Sequence, residues 1–161
     1  MLLTCELDHV HLQQEVDPLM DLHSFLKSEL RVTAVKGSCG SGYCGRCGVL
    51  IDDVFSLACM VPLFSVQQRR ILTIVGFSST PDYVDLEKGF HAEKVFPCGH
   101  CAPSRILLGH SLLVYAEHHQ MDPRGIREHV AQFPCTCITP EEYTRGLVKA
   151  LRFRQRRYGH Y

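Results

Sequence analysis

Residues 39–47, with the sequence CGSGYCGRC, form the stretch that decides how this chain folds. A first set of four cysteines combines this stretch with one later residue in the spacing C-x4-C-x2-C-x11-C, and it comprises Cys39, Cys44, Cys47 and Cys59. A second set has the spacing C-x2-C-x33-C-x-C and comprises Cys98, Cys101, Cys135 and Cys137. Eight of the nine cysteines therefore make two potential four-thiolate sites. The ninth, Cys5, is predicted to be a small buried side chain on the first strand.

The first set has the spacing of plant-type [2Fe-2S] loops, in which a tight loop supplies three thiolates and a more distant strand supplies the fourth. Gly40, Gly42 and Gly45 alternate with these cysteines. Glycine allows a backbone to close around a cluster and to point N–H groups at its sulfides. The sequence therefore predicts eight metal-ligating cysteines, with these three glycines helping to bind the first cluster.

Zinc and disulfides are the alternative interpretations of so many cysteines. Structural zinc sites more typically have two short C-x2-4-C pairs, and the C-x4-C gap, the isolated Cys59 and the C-x-C pair fit that pattern poorly. A disulfide framework is typical of secreted proteins, yet residues 1–4 carry no basic segment or long apolar run of the kind that opens a signal peptide. Iron–sulfur binding in the cytoplasm is therefore favoured.

Composition limits the classes of partner and of activity that the chain can have. The 161 residues suit two small domains, and the 17 basic side chains equal the 17 acidic ones, which favours neither nucleic acid nor a membrane surface as a partner. Residues 152–158 are rich in arginine and are interpreted as a solvated tail or a docking contact for an acidic partner. No phosphate loop, nucleophile elbow or carboxylate pair is evident, so no catalytic residue is predicted.

The pattern over residues 1–77 predicts an α+β unit of the ferredoxin type. Strands are expected over residues 2–7 and 10–15, around a turn at residues 8–9, and a helix over residues 18–30. A strand over residues 49–52, a turn at 52–53, a strand over 55–60 that carries Cys59, and a last strand over 71–75 should follow the cysteine loop. Residues 78–82, with the sequence SSTPD, are predicted to be a linker.

Residues 83–161 are predicted to form an all-α unit. Helices are expected over residues 83–95 and 103–117, and a third helix over 123–130 is preceded by Asp122 as its N-cap. Thr139 and Glu142 form a predicted capping box at the start of a fourth helix. The cysteines of the second set then lie in loops at helix ends.

These motifs resemble one known family across essentially the whole chain. The similarity is carried by CGSGYCGRC with Ala58-Cys59, PCGHCAP at 97–103, and the final C-x-C pair. They occur in the order found in the small iron–sulfur subunit of molybdenum hydroxylases, a family that includes xanthine dehydrogenases, aldehyde oxidoreductases and molybdenum-type carbon monoxide dehydrogenases. The resemblance implies a β-grasp ferredoxin-like domain followed by a four-helix bundle that binds a second [2Fe-2S] cluster.

The resemblance also implies a role and partners. A large subunit would hold molybdopterin, another subunit would hold FAD, and this chain would pass electrons between them within a hetero-oligomer, with the second set nearer the molybdopterin. Two alternatives stay open: a free-standing two-cluster electron carrier and a zinc-binding interaction module.

The chain departs from the family pattern beside the cysteines. Pro97 stands where glutamine is usual, Ala102 and Ser104 replace threonine and glycine, Thr136 replaces arginine, and Ser38 replaces a glycine. All eight thiols are kept while their neighbours differ, which indicates a divergent branch.

Overall fold

One five-stranded sheet occupies the N-terminal half of the computed structural model, which describes residues 1–37, 39–119, 121–133 and 135–159. Its strands are β1 (Leu2–Leu7), β2 (Val10–Glu15), β3 (Gly48–Ile51), β4 (Val54–Leu57) and β5 (Arg70–Leu72). They lie in the order β2-β1-β5-β3-β4. The β1–β5 pair is parallel and the other pairs are antiparallel. The predicted mixture of a sheet with helices is confirmed.

Two tight turns close the hairpins of this sheet. Asp8 and His9 have φ values of 48° and 69°, and Asp52 and Asp53 have 49° and 68°. Positive φ at both central residues gives a two-residue turn whose twist matches that of the flanking strands. The turns predicted at residues 8–9 and 52–53 are therefore confirmed.

The predicted helix over residues 18–30 is wrong as a continuous helix. It begins only at Leu22, because the side chain of Asp21 caps it by accepting the N–H of Ser24 at 2.9 Å. After Leu22–Ser24 the chain widens into one π turn, Phe25–Glu29, closed by a 3.2 Å bond from the N–H of Leu30 to the carbonyl of Phe25. This turn buries Phe25 under the sheet.

Two predicted strands end early. The strand predicted over residues 55–60 ends at Leu57, so Cys59 lies in the helical turn Ala58–Met60. The strand predicted over 71–75 ends at Leu72, because Oγ1 of Thr73 accepts the N–H of Val75 at 3.1 Å and starts the short helix Ile74–Phe77. Local side-chain and backbone hydrogen bonds compete here with the sheet ladder.

Four long helices follow: α1 (Pro81–Ala92), α2 (Ala102–His119), α3 (Pro123–Ala131) and α4 (Pro140–Tyr158). The cap at Asp122 is confirmed, and so is the capping box, in which Thr139 and Glu142 each accept the other's backbone N–H. The helix α1 is capped by Thr80 and has proline in its first turn, so the last two residues of the predicted linker are helical.

The sheet is covered on both faces. Val49 and Ile71 belong to a core that also contains Leu3 and Phe25. The neighbouring strand positions Leu50 and Leu72 belong to the core of the helices, because successive strand side chains point to opposite faces. The helix α2 therefore packs directly on β3 and β4, the strands beside the first set of cysteines.

Gly89 allows α1 and α4 to approach closely. A Cβ at this position would lie 2.5 Å from the backbone nitrogen of Ala150 and 2.6 Å from its Cα. A helical glycine is intrinsically unfavourable, but here a side chain would force two helix backbones apart.

We therefore expect Gly89→Ala to destabilise the protein by about 2 kcal/mol, because the backbone clash outweighs the gain in helix propensity. Chemical denaturation followed by circular dichroism measures the effect. Lys88→Ala, at an exposed position on the same helix, should change stability by less than about 0.5 kcal/mol. Equal stability of the two variants would contradict the close-packing explanation.

The basic segment 152–158 belongs to α4, and the interpretation as a solvated or docking tail is wrong for Arg154. Arg154 is buried, and its Nε lies 3.0 Å from both carboxylate oxygens of Glu117 on α2. It also pairs with Asp82 on α1. Nε of Arg157 lies 2.7 Å from Oδ2 of Asp85. These charges join three helices.

Within the described residues, no helix combines the length and the apolar character needed to cross a membrane.

Candidate metal centres

The first set of cysteines lies where the loop of residues 39–47 meets the β3–β4 hairpin. The register pairs Gly48 with Leu57, so Cys47 lies beside Ala58, whose N–H donates to the Cys47 carbonyl at 3.0 Å. Cys59 follows in the next helical turn. Cys47 is buried, whereas Cys39 is exposed. One wall of this site is therefore the sheet and the other is an open loop.

Backbone N–H groups in this loop point at sulfur. The N–H of Gly42 donates to Sγ of Cys59 at 3.3 Å, and that of Cys44 donates to Sγ of Cys39 at 3.4 Å. Gly40, Gly42 and Gly45 all have φ between 61° and 74°. A side chain at Gly42 would also meet Cγ of Met60 at 3.1 Å. The loop thus has the backbone conformation that a sulfur-binding turn requires.

The thiols of the first set have opposite pKa shifts. Hydrogen bonds from the backbone N–H groups of Cys44 and Ser41 lower the pKa of Cys39 to about 6. Burial raises the pKa of Cys47 to about 12, and the neighbouring Cys59 sulfur adds to the shift. One thiol is therefore ready to ionise while its buried neighbour holds its proton in the absence of a cation.

The second set is gathered more tightly. The Sγ atoms of Cys98, Cys101 and Cys137 all lie within 4.8 Å of one another, and Sγ of Cys135 lies 3.2 Å from that of Cys137. In the part of the chain that the structure describes, no comparable group of three is formed by the first set. Cys98 and Cys101 lie immediately before α2, which begins at Ala102. The C-x-C pair lies between α3 and α4.

The pKa values of the second set also diverge. Hydrogen bonding to Cys137 and to backbone N–H groups lowers the pKa of Cys98 to about 7. Burial and the adjacent sulfurs raise the pKa of Cys101 to about 12. Crowded thiols cannot all ionise unless a cation balances their charge, and thiolate is the form that binds metal. The donor set therefore fits a thiolate-bound metal centre.

Two contacts join the two cysteine regions. The Oγ of Ser104, three residues after Cys101, donates to the carbonyl of Gly45 at 2.6 Å. The ring of Phe133 lies 3.6 Å from the position of a Cβ on Gly45 and also contacts Phe55 edge-to-face at 5.5 Å. The loop of the first set thus touches both segments that carry the second set.

Replacement of Ser104 tests this junction. Ser104→Ala leaves the buried Gly45 carbonyl without its hydrogen bond, and we expect a loss of about 1–2 kcal/mol of stability in chemical denaturation. Ser56→Ala is the matched control, because its hydroxyl makes a long, exposed 3.4 Å bond, and its effect should stay below about 0.5 kcal/mol. Equal effects would show that the junction contributes nothing.

A buried arginine lies beside the second set. Arg105 is 3% exposed and donates to the Phe133 carbonyl, and Tyr143 donates from its hydroxyl to the Arg105 carbonyl at 2.5 Å. Arg105, Phe133, Cys135 and Tyr143 line one cavity of about 150 Å³. Burial raises the pKa of Cys135, but backbone N–H groups and the charge of Arg105 lower it, and the net shift is downward.

The ninth cysteine and the imidazole between Cys98 and Cys101 take minor places. Cys5 is buried in the core under the sheet, as predicted. His100 is exposed and does not belong to the group of three sulfurs. Ser38 lies outside the described residues. Sequence reasoning noted Ser104 only as an unusual neighbour and missed Arg105 and Phe133, because their roles depend on contacts between distant segments.

Comparison with known proteins gives consistent relatives, although no family model matches the sequence. The chain is 33% identical over 121 residues to a probable xanthine dehydrogenase subunit of Bacillus subtilis, covering 74% of this chain and 68% of that protein. It is 29% identical over 131 residues to a nicotinate dehydrogenase subunit of Pseudomonas putida, covering 81% and 82%. The crystal structure of quinoline 2-oxidoreductase from Pseudomonas putida 86 superposes with a TM-score of 0.81 at 23% identity, covering 100% of this chain and 98% of that one, which shows the shared fold.

Proposed function

Because this chain belongs to the iron–sulfur subunits of the molybdenum hydroxylases, we propose that it relays electrons between partner subunits. Such subunits are the electron-transfer part of those oxidoreductases. The electrons would pass through two [2Fe-2S] clusters, from a molybdopterin site on a large subunit to FAD on another subunit. The observation that carries the proposal is that the sulfurs of the second set lie close together, in segments that contact the loop of the first set. A chain that needed only one ferredoxin-like site would have no use for the second set. The chain itself supplies no catalytic residue.

Each set of cysteines would supply the four ligands of one cluster. Cys39, Cys44, Cys47 and Cys59 would hold one cluster, with N–H groups of the loop at Gly40, Gly42 and Gly45 directed to its sulfurs. Cys98, Cys101, Cys135 and Cys137 would hold the other. A four-thiolate [2Fe-2S] centre accepts one electron at a time, so two such centres in series link two-electron donors to two-electron acceptors.

The domain division is part of the same proposal. Residues 1–77 would be a β-grasp ferredoxin-like domain, residues 78–82 the connection, and residues 83–161 a four-helix bundle that binds the second cluster. The strand order β2-β1-β5-β3-β4 and the four long helices support it. The contacts of β3 and β4 with α2 would keep the two domains in register.

Exposed apolar side chains near both sites support the existence of partner subunits. Tyr43 is 77% exposed and Met60 is 60% exposed beside the first site, and Phe96, two residues before Cys98, is 59% exposed. Apolar surface marks an interaction site when it is contiguous, and Tyr43 and Met60 both lie at the loop of the first set. By the family resemblance, the first site would face the FAD subunit and the second would face the molybdopterin subunit.

Purification under anaerobic conditions from the native host tests the partners. The tagged chain should bring down larger chains, with molybdenum and flavin in a constant ratio to iron across the eluted peak. Recovery of the chain alone, loaded with iron but without molybdenum or flavin, would contradict the subunit role and favour the free-standing electron carrier.

A further inference from the structure

Arg105 carries a buried charge that no carboxylate neutralises within the described residues. It is 3% exposed, and none of the ion pairs of the described chain includes it. Arg154, at 8% exposure, has carboxylates from Asp82 and Glu117 around it. Arginine is rarely buried without a partner, because removal of its charge from water is costly. We therefore expect a group other than a carboxylate to supply the negative charge that balances Arg105.

The contacts of Arg105 direct it toward the connection between α3 and α4, which carries Cys135. Its guanidinium donates to the carbonyl of Phe133, two residues before that cysteine, and its Cζ lies 6.0 Å from the centre of the Tyr143 ring. The Tyr143 hydroxyl, buried in the same core, holds the Arg105 backbone through a 2.5 Å bond. Both ends of the residue are thus fixed, and the cavity that Arg105 lines also includes Cys135.

We infer that Arg105 is the built-in counter-charge of the second thiolate site and makes the centre bound there easier to reduce than it would be beside a neutral side chain. This inference rests on the proposed function, since it requires a cluster held by Cys98, Cys101, Cys135 and Cys137. Arg105 acts as a positioning and electrostatic residue, because it is not a ligand.

The physical reason is the change of charge on reduction. Four thiolates give the centre a negative charge, and one added electron increases it. A fixed cation at low solvent exposure stabilises the more negative state more strongly, and net charge and hydrogen bonding are known determinants of cluster potential. The exposed arginines of α4 lie in water, which screens their effect.

Redox titration of the whole chain, followed by EPR, tests the inference. In Arg105→Gln, the reduced-to-oxidised ratio of the second centre at a fixed potential should fall about tenfold, equivalent to about 59 mV for one electron. The first centre should be unchanged. Arg152→Gln removes an equal charge from an exposed position and should leave both centres unchanged. Arg105→Lys keeps the charge and should stay within about twofold of the wild type at both centres.

The outcomes separate the two levels of the proposal. An unchanged second centre in Arg105→Gln, with both signals and the full iron content present, would overturn the inference and leave the relay intact. If Arg105→Gln fails to bind the second cluster, Arg105→Lys decides between the two results. A change of about tenfold or more in the reduced-to-oxidised ratio of its second centre would overturn the inference, and a ratio like that of the wild type would support it. The absence of a second signal from the wild-type chain would instead overturn the proposed function.

Discussion

Cys137→Ser should remove one cluster and leave the other intact. The Cys137 sulfur lies within 4.8 Å of those of Cys98 and Cys101 and 3.2 Å from that of Cys135, so this substitution removes a thiolate from the middle of the second set. Iron should fall from about four to about two per chain, because each [2Fe-2S] centre needs four protein ligands. One of the two EPR signals should disappear, and reduction of the flavin by substrate in the complete complex should be lost. Cys98→Ser should behave in the same way.

A matched control is available in Cys5→Ser. Cys5 is buried in the core under the sheet, so the hydroxyl is expected to lower stability by about 1–2 kcal/mol without affecting iron content. If Cys137→Ser retained both EPR signals, the assignment of the second set as ligands would be wrong.

Asp82→Asn should destabilise the helical half by about 3 kcal/mol at neutral pH, since it removes a largely buried charge from two arginines. The Asp82 side chain is only 15% exposed, and it pairs with Arg154 and Arg157 on α4. Nδ1 of His110 on α2 lies 3.2 Å from its Oδ2. The remaining carboxylates, Glu117 and Asp85, compensate only part of the loss. Denaturant unfolding followed by far-ultraviolet circular dichroism measures the difference.

The same pair of proteins should show a defined pH dependence. Burial alone would raise the pKa of Asp82, but His110 and Arg154 hold it well below its usual range. A depressed folded-state pKa adds stability above the unfolded-state value of about 3.9, and this is lost as the pH falls toward the folded-state value. The difference between wild type and Asp82→Asn should therefore be larger at about pH 5 than at about pH 3, and it should shrink as the pH falls below about 4.

Asp53→Asn provides the control for both experiments. Its ion pair with Arg70 is about half exposed on each side, so its loss should cost less than about 0.5 kcal/mol. A comparable loss of stability in Asp53→Asn and Asp82→Asn would contradict the view that the three-helix charge network is more stabilising than an exposed ion pair.

Features set by local chemistry could be predicted from the sequence. The two hairpin turns and the caps at Asp122 and Thr139 depend on residues within a few positions of one another, and all are confirmed. The errors arise where a local side-chain bond competes with a longer pattern. Apolar spacing predicts one helix over residues 18–30, but Asp21 and the π turn divide it, and Thr73 ends β5 early.

The junction between the two sites could not be predicted in this way. The bond from Ser104 to Gly45 joins residues 59 positions apart, and the bond from Arg105 to Phe133 joins residues 28 positions apart. Neither pair has a spacing signature, because each depends on how the start of α2 packs against a distant loop. Arg154 likewise looks like part of a basic tail until α1 and α2 bring carboxylates to it. The cysteine spacing indicates the chemistry, whereas packing determines the surroundings of each site.

The most direct test of the relay is an EPR spectrum of the dithionite-reduced chain, purified without oxygen, with iron and zinc measured in the same sample. A two-cluster relay predicts two distinguishable one-electron signals and about four irons per chain. A silent spectrum with bound zinc and no iron would contradict it and would leave a zinc-binding interaction module as the better explanation.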